Sequence, residues 1–175
     1  MTVYQPAEDS YFLQVQVKKL SKNKSVIDIG SGGGIQSLSA LKSGASSVLA
    51  TDIDPVSIKH LKSLNIPVLK SNLFEKIKGK FDLIIFNPPY LPQDKCEPKE
   101  SQKATTGGKR GDEIILKFLK QAQKHLNKNG SILLLLSSQT PTARIFPLIT
   151  ALGLHKKLLS KKKLFFETLY VYQIQ

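Results

Sequence analysis

The segment between Ser25 and Leu41 limits the fold most, because an apolar strand pattern, a glycine-rich turn and a helical pattern follow one another without a gap. Residues 25–29 are Ser-Val-Ile-Asp-Ile, residues 30–34 are Gly-Ser-Gly-Gly-Gly, and the helical pattern covers residues 35–41. A parallel α/β sheet uses this order to bring its backbone close to a ligand. The sequence therefore predicts an α/β sheet with a ligand site at the glycine turn.

The residues around this turn indicate a nucleoside that carries an amino-acid tail. Ile35 occupies the position of the third glycine of a dinucleotide fingerprint, which weakens a pyrophosphate site. Asp28 precedes the glycines and suits an ammonium group, while Asp52 ends the strand 48–52 at about the distance expected of a ribose-binding carboxylate. S-adenosylmethionine fits this description. Helix or turn capping is the alternative role for both carboxylates, but their position at strand ends beside the glycines favours the cofactor.

Asn87-Pro88-Pro89-Tyr90 follows the apolar run 81–86 and predicts a rigid pocket for one planar NH₂ group. The prolines fix their own φ angles, and Pro88 moves Asn87 out of helical space. The Asn87 side-chain carbonyl and the Pro88 backbone carbonyl then form two convergent acceptors, beside the stacking ring of Tyr90. An amide or a nucleobase amine fits such a pocket. A stiff loop after a strand is the plain structural alternative.

The rest of the chain alternates helices and strands and ends in two strands. Expected helices cover residues 8–20, 35–41, 55–64, 112–126 and 141–152, and expected strands cover 25–29, 48–52, 67–71, 81–86, 131–136, 154–160 and 164–174. A polar loop is expected over 91–108, a closing turn over 127–130, and the last turn over Lys161 to Lys163. This order is the seven-stranded layout of Rossmann-like class I methyltransferases: a mostly parallel sheet, a C-terminal antiparallel hairpin and helices on both faces. We expect one domain over residues 1–175 and place the strand 67–71 at or near a sheet edge.

The charge balance favours an anionic partner. The chain has 26 Lys and Arg against 13 Asp and Glu, a formal net charge of +13, which suits RNA or a ribonucleoprotein most simply. Only Arg110 and Arg144 are arginines, however, and arginine is the usual reader of bases and phosphates. We therefore interpret the charge as long-range steering or solubility.

Other features bound the location of the protein. No apolar run approaches the ~20 residues of a membrane span, and no targeting signal is recognisable. The single cysteine, Cys96, excludes an internal disulfide and fits a reducing cytosol, so we expect a cytoplasmic protein without membrane contact. The three histidines lack metal-ligand spacing, and no metal site is predicted.

These motifs together resemble the HemK family of N-methyltransferases. The resemblance is strongest to its short eukaryotic and archaeal branch, which methylates the glutamine of the Gly-Gly-Gln loop in class I translation termination factors. Residues 3–10, Val-Tyr-Gln-Pro-Ala-Glu-Asp-Ser, are similar to the Val-Tyr-Glu-Pro-Ala-Glu-Asp-Thr signature of that branch. Residues 107–111 resemble its Gly-Gly-x-x-Gly segment, and residues 167–169 resemble its Glu-Thr-Leu. The matches follow the family order over nearly the whole chain.

The resemblance implies S-adenosyl-L-methionine as cofactor and assigns roles to single positions. Implied cofactor contacts are Ser10, Asp28, Gly30, Gly32, Asp52, Ile53, Asn72, Leu73 and Asn87. Implied substrate contacts are Asn87, Pro88, Pro89, Tyr90 and Leu91, of which Asn87, Pro88 and Tyr90 form the catalytic group. Two positions depart from the family pattern, because Gln5 replaces a glutamate and Asn72 replaces a common aspartate.

The resemblance also implies a protein partner. Members of this branch work with a small, often zinc-binding, activator subunit that adds a strand at the third-strand edge. Ile66, Val68 and Leu69 are apolar enough to make an unpaired edge there a liability. We therefore expect a heterodimer formed by strand addition, while protection of that edge by Lys70 or by the chain itself is the alternative.

The predicted reaction is in-line transfer of a methyl group to a side-chain amide nitrogen. The main alternative is an RNA or DNA amino methyltransferase, because the same pocket accepts the exocyclic amine of adenine or cytosine and the charge is positive. The low arginine content argues against it. A non-catalytic RNA-binding module is a second alternative, which the intact motifs disfavour, and Ile35 disfavours a nicotinamide dehydrogenase.

Overall fold

The computed structural model describes residues 5–93 and 105–175, which form one seven-stranded sheet flanked by helices. The helices of these residues are α1 Glu8–Leu20, α2 Ile35–Lys42, α3 Pro55–Ser63, α4 Glu113–Ala122 and α5 Ile145–Ala151. The strands are β1 Ser25–Ile29, β2 Ser47–Asp52, β3 Val68–Lys70, β4 Phe81–Phe86, β5 Leu126–Ser137, β6 Lys156–Lys163 and β7 Thr168–Ile174.

The sheet has the strand order β3-β2-β1-β4-β5-β7-β6. Strands β1 to β5 are parallel to one another, and β7 is antiparallel to both β5 and β6. This confirms the predicted class I methyltransferase layout with its C-terminal hairpin. It also confirms that β3 lies at an edge of the sheet.

The core has two layers because neighbouring residues of a strand point to opposite faces of the sheet. Val26 of β1 packs in the layer that contains Leu13 of α1, while Ile27 packs in the layer that contains Phe118 of α4. In β5 the residues 132–136 are all buried, which matches a strand covered on both faces. The apolar run in β5 therefore marks a central strand, as its sequence predicts.

The junction of α4 and β5 differs from the prediction. The helix ends at Ala122, a 3₁₀ turn covers Gln123–His125, and β5 begins at Leu126. The expected turn over residues 127–130 is part of β5, where a register shift lies opposite Phe81 and Leu83. Asn127 stabilises this irregular start, because its Nδ2 donates to Asp82 Oδ1 at 2.7 Å.

The last turn was also predicted at the wrong position. Lys161 to Lys163 continue β6 and pair with β7 up to Lys163 and Thr168. Lysines are common on edge strands because their charge prevents pairing with another chain. The chain reverses instead at Phe165 and Phe166. Of the expected polar loop 91–108, residues 94–104 lie outside the described residues, as does Cys96.

The sheet positions a site at the carboxyl ends of its parallel strands. From β1 the chain continues to β2 on one side, and β4 lies on the other side. Such a reversal of strand order leaves a crevice at the carboxyl ends, where ligands bind in open α/β sheets. In the part of the chain that the structure describes, no helix has both the length and the apolar character that crossing a bilayer requires.

Candidate active site

A cavity of about 790 Å³ opens at the carboxyl ends of β1, β2 and β4. Its size is within the range of small-molecule sites. All of the site residues predicted from the sequence line it: Ser10, Asp28, Gly30, Gly32, Asp52, Ile53, Asn72, Leu73, Asn87, Pro88, Pro89, Tyr90 and Leu91. The structure thus brings together residues from five separate segments, while their individual roles stay predictions.

The cavity is acidic although the protein is basic. Its described lining includes six carboxylates, Glu8, Asp9, Asp28, Asp52, Asp54 and Glu167, and no lysine, arginine or histidine. A site for a phosphate-bearing dinucleotide would place positive groups at its anion. The described lining therefore suits a cationic ligand.

The glycine turn after β1 requires backbone conformations that favour glycine. Gly34 has φ +80°, and an added Cβ would lie 2.7 Å from Leu61 Cδ2, in the core. Ser31 ties the turn to the neighbouring strands, since its Oγ donates to the Asp28 carbonyl at 2.8 Å and accepts from Thr51 N at 3.1 Å. The turn is therefore held rigidly beside the cavity.

Asp52 connects the end of β2 to the glycine turn. Its Oδ2 accepts from Gly32 N at 2.8 Å and its Oδ1 accepts from Asp54 N at 2.9 Å. The turn-capping role considered from the sequence is thus present. Because each carboxylate oxygen has a further lone pair, the same geometry leaves acceptors for a pair of ribose hydroxyls.

Asp28 is a buried carboxylate at the bottom of the cavity, 2% exposed. Its Oδ2 accepts from Ser37 N at 3.1 Å and from Ser37 Oγ at 2.6 Å, in the first turn of α2. Burial raises the pKa of Asp28 from 3.8 to about 6, against the lowering effect of the Ser37 bonds, and the nearby Asp52 charge adds a smaller upward shift. A cation bound in the cavity would favour the ionised form.

The residues after β2 and β3 form the far end of the cavity. Ile53 leaves 60% of its side chain exposed, which suits a flat apolar ligand. Asn72 Nδ2 donates to Glu75 Oε1 at 2.8 Å, and Leu73 has φ +50°, a strained value for a bulky residue. Ser71 Oγ donates to the Leu73 carbonyl at 2.9 Å and stabilises this conformation.

Asn87 lines the cavity and has a buried side-chain carbonyl oxygen that lacks a hydrogen-bond partner among the described residues. Its Nδ2 donates to Asp9 Oδ2 at 2.8 Å, and Asp9 Oδ1 accepts from Ser10 N at 2.6 Å. Asn87 Oδ1 is buried and has no hydrogen-bond donor among the described residues. A buried acceptor without a partner is costly and rare in proteins, and it indicates a place for a ligand donor.

The turn that contains Pro88 and Pro89 rests on the backbone of residues 105–111. Leu91 N donates to the Thr105 carbonyl at 2.8 Å, and Gly107 N donates to the Leu91 carbonyl at 2.9 Å. A Cβ on Gly107 would lie 2.4 Å from Gly111 O and 2.7 Å from Pro89 O. Only glycine allows the two backbones to approach this closely.

An ion pair between the buried Asp112 and the exposed Arg144 anchors the same segment at the start of α4. Arg144 Nε donates to Asp112 Oδ2 at 2.8 Å, and a second bond joins Arg144 Nη2 to Asp112 Oδ1. The Arg144 guanidinium holds the pKa of Asp112 below its usual value. One of the two arginines of the chain therefore has a structural partner.

Tyr90 lies between the Asn-Pro-Pro turn and the C-terminal hairpin. Its ring packs against both core layers, and its hydroxyl donates to Glu167 Oε1 at 3.4 Å. Ser137 Oγ donates to the other oxygen of Glu167. Tyr90 is thus held in place at the cavity by groups from β5 and from the end of the hairpin.

The comparisons with known proteins agree with this geometry. A family model of the methyltransferase small domain matches residues 9–166. A Methanocaldococcus jannaschii protein named for protein N5-glutamine methyltransferase activity is 38% identical over 177 residues, which cover 97% of this chain and 89% of that protein. The chain belongs to the HemK family of N-methyltransferases.

Two further relatives match almost as completely. Methyltransferase HEMK2 of Mus musculus is 27% identical over 171 residues, which cover 87% of this chain and 79% of that protein. Among solved structures, the E. cuniculi Mtq2-Trm112 complex, described as responsible for methylation of the eRF1 translation termination factor, contains a chain that superposes with a TM-score of 0.80. That match has 25% identity and covers 100% of this chain and 99% of the other.

Several residues of this HemK-family methyltransferase were not predicted as site residues. Asp9, Gly107, Gly111 and Glu167 lie in the segments that carry the family resemblance, so a signal for them was present. Gln36 had none: it lines the cavity from α2, its Nε2 donates to the Ser10 carbonyl at 2.8 Å, and its buried Oε1 lacks a donor among the described residues. It is a second acceptor available to a ligand.

Proposed function

We propose that this protein transfers a methyl group from S-adenosylmethionine to the side-chain amide nitrogen of the glutamine in the Gly-Gly-Gln loop of a class I translation termination factor. The observation that carries the proposal is the buried, unpaired Oδ1 of Asn87, a residue that lines the cavity together with Pro88. With the Pro88 carbonyl beside it, as the Asn-Pro-Pro turn predicts, two acceptors would suit the two N–H groups of a primary amide. Residues 1–175 would act as one methyltransferase domain, and a cytoplasmic location follows from such a substrate.

The described lining fits S-adenosylmethionine, which would supply a methyl group on a positively charged sulfur. Asp28 would pair with the ammonium of the methionine part, and Asp52 would accept from the ribose hydroxyls. Ile53, Asn72 and Leu73 would surround the base, with Ser10, Gly30 and Gly32 along the tail. The described lining is rich in carboxylates and has no basic side chain. It supports this cofactor because the ammonium and sulfonium groups of S-adenosylmethionine would find acceptors there, and S-adenosylmethionine carries no phosphate.

Catalysis would depend on orientation and electrostatics. An amide nitrogen is a poor nucleophile because its lone pair is delocalised. When its two N–H groups donate to Asn87 Oδ1 and the Pro88 carbonyl, the nitrogen is oriented and the positive charge that develops on it is stabilised. The proton becomes acidic as the new bond to carbon forms, so it can leave to solvent without a strong base. Tyr90 would pack on the amide plane, with Pro89 and Leu91 shaping the turn.

The relatives support a protein substrate and a small partner subunit. The E. cuniculi complex that superposes on this chain acts on a translation termination factor and contains a second protein. Among the described residues β3 is an edge strand of three residues without a further strand beside it, and Leu69 is 37% exposed. We propose that a small zinc-binding activator pairs with this edge to form a heterodimer. The apolar edge is smaller than predicted, since Ile66 is 3% exposed and packs with Leu61 and Ala50.

A nucleic-acid amine methyltransferase is the second candidate. Its supporting observation is the net charge of +13, which would attract RNA or the ribosome. The acidic cavity disfavours it, because the phosphates that flank a target base would approach six carboxylates. A non-catalytic RNA-binding module is less consistent still, because it would leave the unpaired Asn87 acceptor without a role.

One experiment separates these functions. The protein, alone and with the cognate small subunit, is incubated with radiolabelled S-adenosylmethionine and with termination factor, total tRNA or ribosomal RNA. We expect label only in the termination factor, none in a factor whose loop glutamine is replaced by glutamate, and none with the Asn87→Ala enzyme. Asn87→Ala should still bind the methyl donor within a few fold of wild type. Label in RNA, or equal activity in Asn87→Ala, would contradict the proposal.

A further inference from the structure

Two phenylalanines form the tip of the C-terminal hairpin and point into solvent. Phe165 is 92% exposed and Phe166 is 84% exposed, the highest values for large apolar side chains among the described residues. Leu164 N donates to the Glu167 carbonyl at 2.7 Å, which closes a two-residue turn around them. The hairpin therefore presents both rings on a short, well-defined support.

Two adjacent phenylalanines are an unusual composition for a tight hairpin turn. Two-residue hairpin turns favour Gly, Asn and Asp, which adopt the required backbone angles and tolerate water. Two adjacent phenylalanines satisfy neither preference, and their exposure costs solvation free energy. A paired, fully exposed apolar tip indicates a binding role when it lies beside a functional site.

The tip does lie beside the active site. Leu164 and Glu167, which flank the two phenylalanines, both line the cavity, and Glu167 accepts from the Tyr90 hydroxyl. A macromolecule that inserts a side chain into this cavity can therefore contact the tip as well. The tip is therefore placed to contact the substrate outside the reacting group.

We propose that Phe165 and Phe166 dock the protein that carries the acceptor glutamine, on an apolar spot of its surface that is surrounded by carboxylates. The inference rests on the proposed function. The exposed Lys161 and Lys163 precede the tip on β6, and Lys162 pairs with Glu8 at the cavity. The positive charge of Lys161 and Lys163 complements acidic residues that surround an apolar contact on the substrate protein.

A protein fits this surface better than single-stranded RNA does. The two rings meet edge to face, with centroids 4.7 Å apart and planes at 77°, so they form a wedge and no parallel platform for stacked bases. The carboxylates of Asp9 and Glu167 line the adjoining cavity and would repel phosphates next to the inserted group. The substrate class that the tip selects is therefore a folded protein.

The test compares an intact substrate with a peptide that is too short to reach the tip. A Phe165→Ser/Phe166→Ser double variant is assayed on the intact termination factor and on a short peptide containing Gly-Gly-Gln. Leu158→Ser is the matched control. Leu158 is 46% exposed and lies on β6 of the same hairpin, but it pairs with Tyr172 at the end opposite the tip.

We expect the double variant to raise KM for the intact factor about ten- to hundredfold, with kcat, peptide kinetics and methyl-donor affinity unchanged. Leu158→Ser should match wild type on both substrates. The docking role is overturned if the double variant and the wild type have equal KM for the intact factor. It is also overturned if the double variant loses as much activity on the peptide as on the intact factor. Loss of single-stranded RNA binding with normal factor methylation would assign the tip to RNA instead. A wild-type enzyme that leaves the factor unlabelled even with the cognate small subunit overturns the proposed function itself.

Discussion

Asp9 Oδ2 accepts a hydrogen bond from Asn87 Nδ2 at 2.8 Å and so joins the first turn of α1 to the end of β4, 78 residues away. An ionised carboxylate can only accept, so it must face the NH₂ group of Asn87. This fixes which side of the amide is directed into the cavity. The contact explains why the unpaired atom of Asn87 is its oxygen.

Asp9→Ala should lower kcat about ten- to hundredfold, the value of one hydrogen bond to a charged group. Without Asp9 the Asn87 amide can rotate and present its NH₂ group to the substrate, which repels the N–H donors of a glutamine. Single-turnover methylation measures this directly, with calorimetry of the methyl donor as the control. A rate equal to wild type would show that Asn87 is held by other groups.

Tyr90→Phe should retain activity within a few fold, whereas Tyr90→Ala should lose about a hundredfold or more in kcat/KM. The ring packs against both core layers, while the hydroxyl donates a long bond of 3.4 Å to Glu167. Steady-state kinetics of the two variants decide between ring and hydroxyl. Equal losses in both would assign the role of Tyr90 to its hydroxyl.

Asp28→Asn should stabilise the ligand-free protein at about pH 7.5 by about 1–3 kcal/mol. Burial raises the pKa of Asp28 to about 6 from the usual 3.8. A raised pKa in the folded state stabilises the fold below the unfolded pKa, and this stabilisation is lost as the pH rises through 6. The Asp28→Asn variant has no carboxyl group to ionise and avoids that loss. Its free energy of unfolding in urea should therefore exceed that of the wild type at neutral pH, and the difference should disappear near pH 4.

The same variant should bind the methyl donor far more weakly, because the ammonium loses its ionised partner. In the wild type the affinity should fall about tenfold per pH unit below 6, as protonation removes the charge. Calorimetry between about pH 5 and pH 7.5 tests this dependence. Affinity that stays constant over this range would exclude Asp28 as the ammonium site.

Asp52→Ala should weaken methyl-donor binding by about 1–3 kcal/mol, corresponding to one lost hydrogen-bonded pair. Since Asp52 also holds Gly32 N, circular dichroism must establish that the fold is kept. Calorimetry with S-adenosylmethionine and with a nicotinamide dinucleotide provides the measurement. Unchanged affinity, or preference for the dinucleotide, would contradict the assignment.

Gly107→Ala should lower activity strongly and destabilise the fold by about 1–3 kcal/mol, the cost of overpacking. The added methyl would meet the carbonyl oxygens of Gly111 and Pro89, which are backbone atoms and can move only with the Asn-Pro-Pro turn. Gly79→Ala is the control for activity alone, because its added Cβ would have no atom within 4 Å, while its φ of +88° makes the alanine cost stability by itself. Equal activity in both variants would show that the turn does not depend on this contact.

The sequence predicts those parts of the site whose geometry is encoded by consecutive residues. The glycine turn and the Asn-Pro-Pro-Tyr turn each set their own backbone angles, so their position after a strand was enough to predict a ligand site. The class I topology followed from the alternation of strands and helices. Asp52 could be predicted as a strand end because the strand pattern before it is also formed by consecutive residues.

Features that depend on distant partners could not be predicted in this way. The contact of Asp9 with Asn87 joins residues that no local pattern relates. The start of β5 has the composition of a turn, yet Asn127 bonds to Asp82 of β4 and the irregular segment joins the sheet. Tertiary contacts also determined the last hairpin, where Lys161 to Lys163 continue β6 and Phe165 and Phe166 form the turn.

The two edges of the sheet differ in kind, and this limits how large an assembly can grow. The β3 edge is three residues long with an exposed leucine, whereas the β6 edge is eight residues long and carries five lysines. Strand addition is favourable at the first edge and opposed by charge at the second. A partner added at β3 would therefore find no equivalent site on β6, where the five lysines oppose the addition of a further strand.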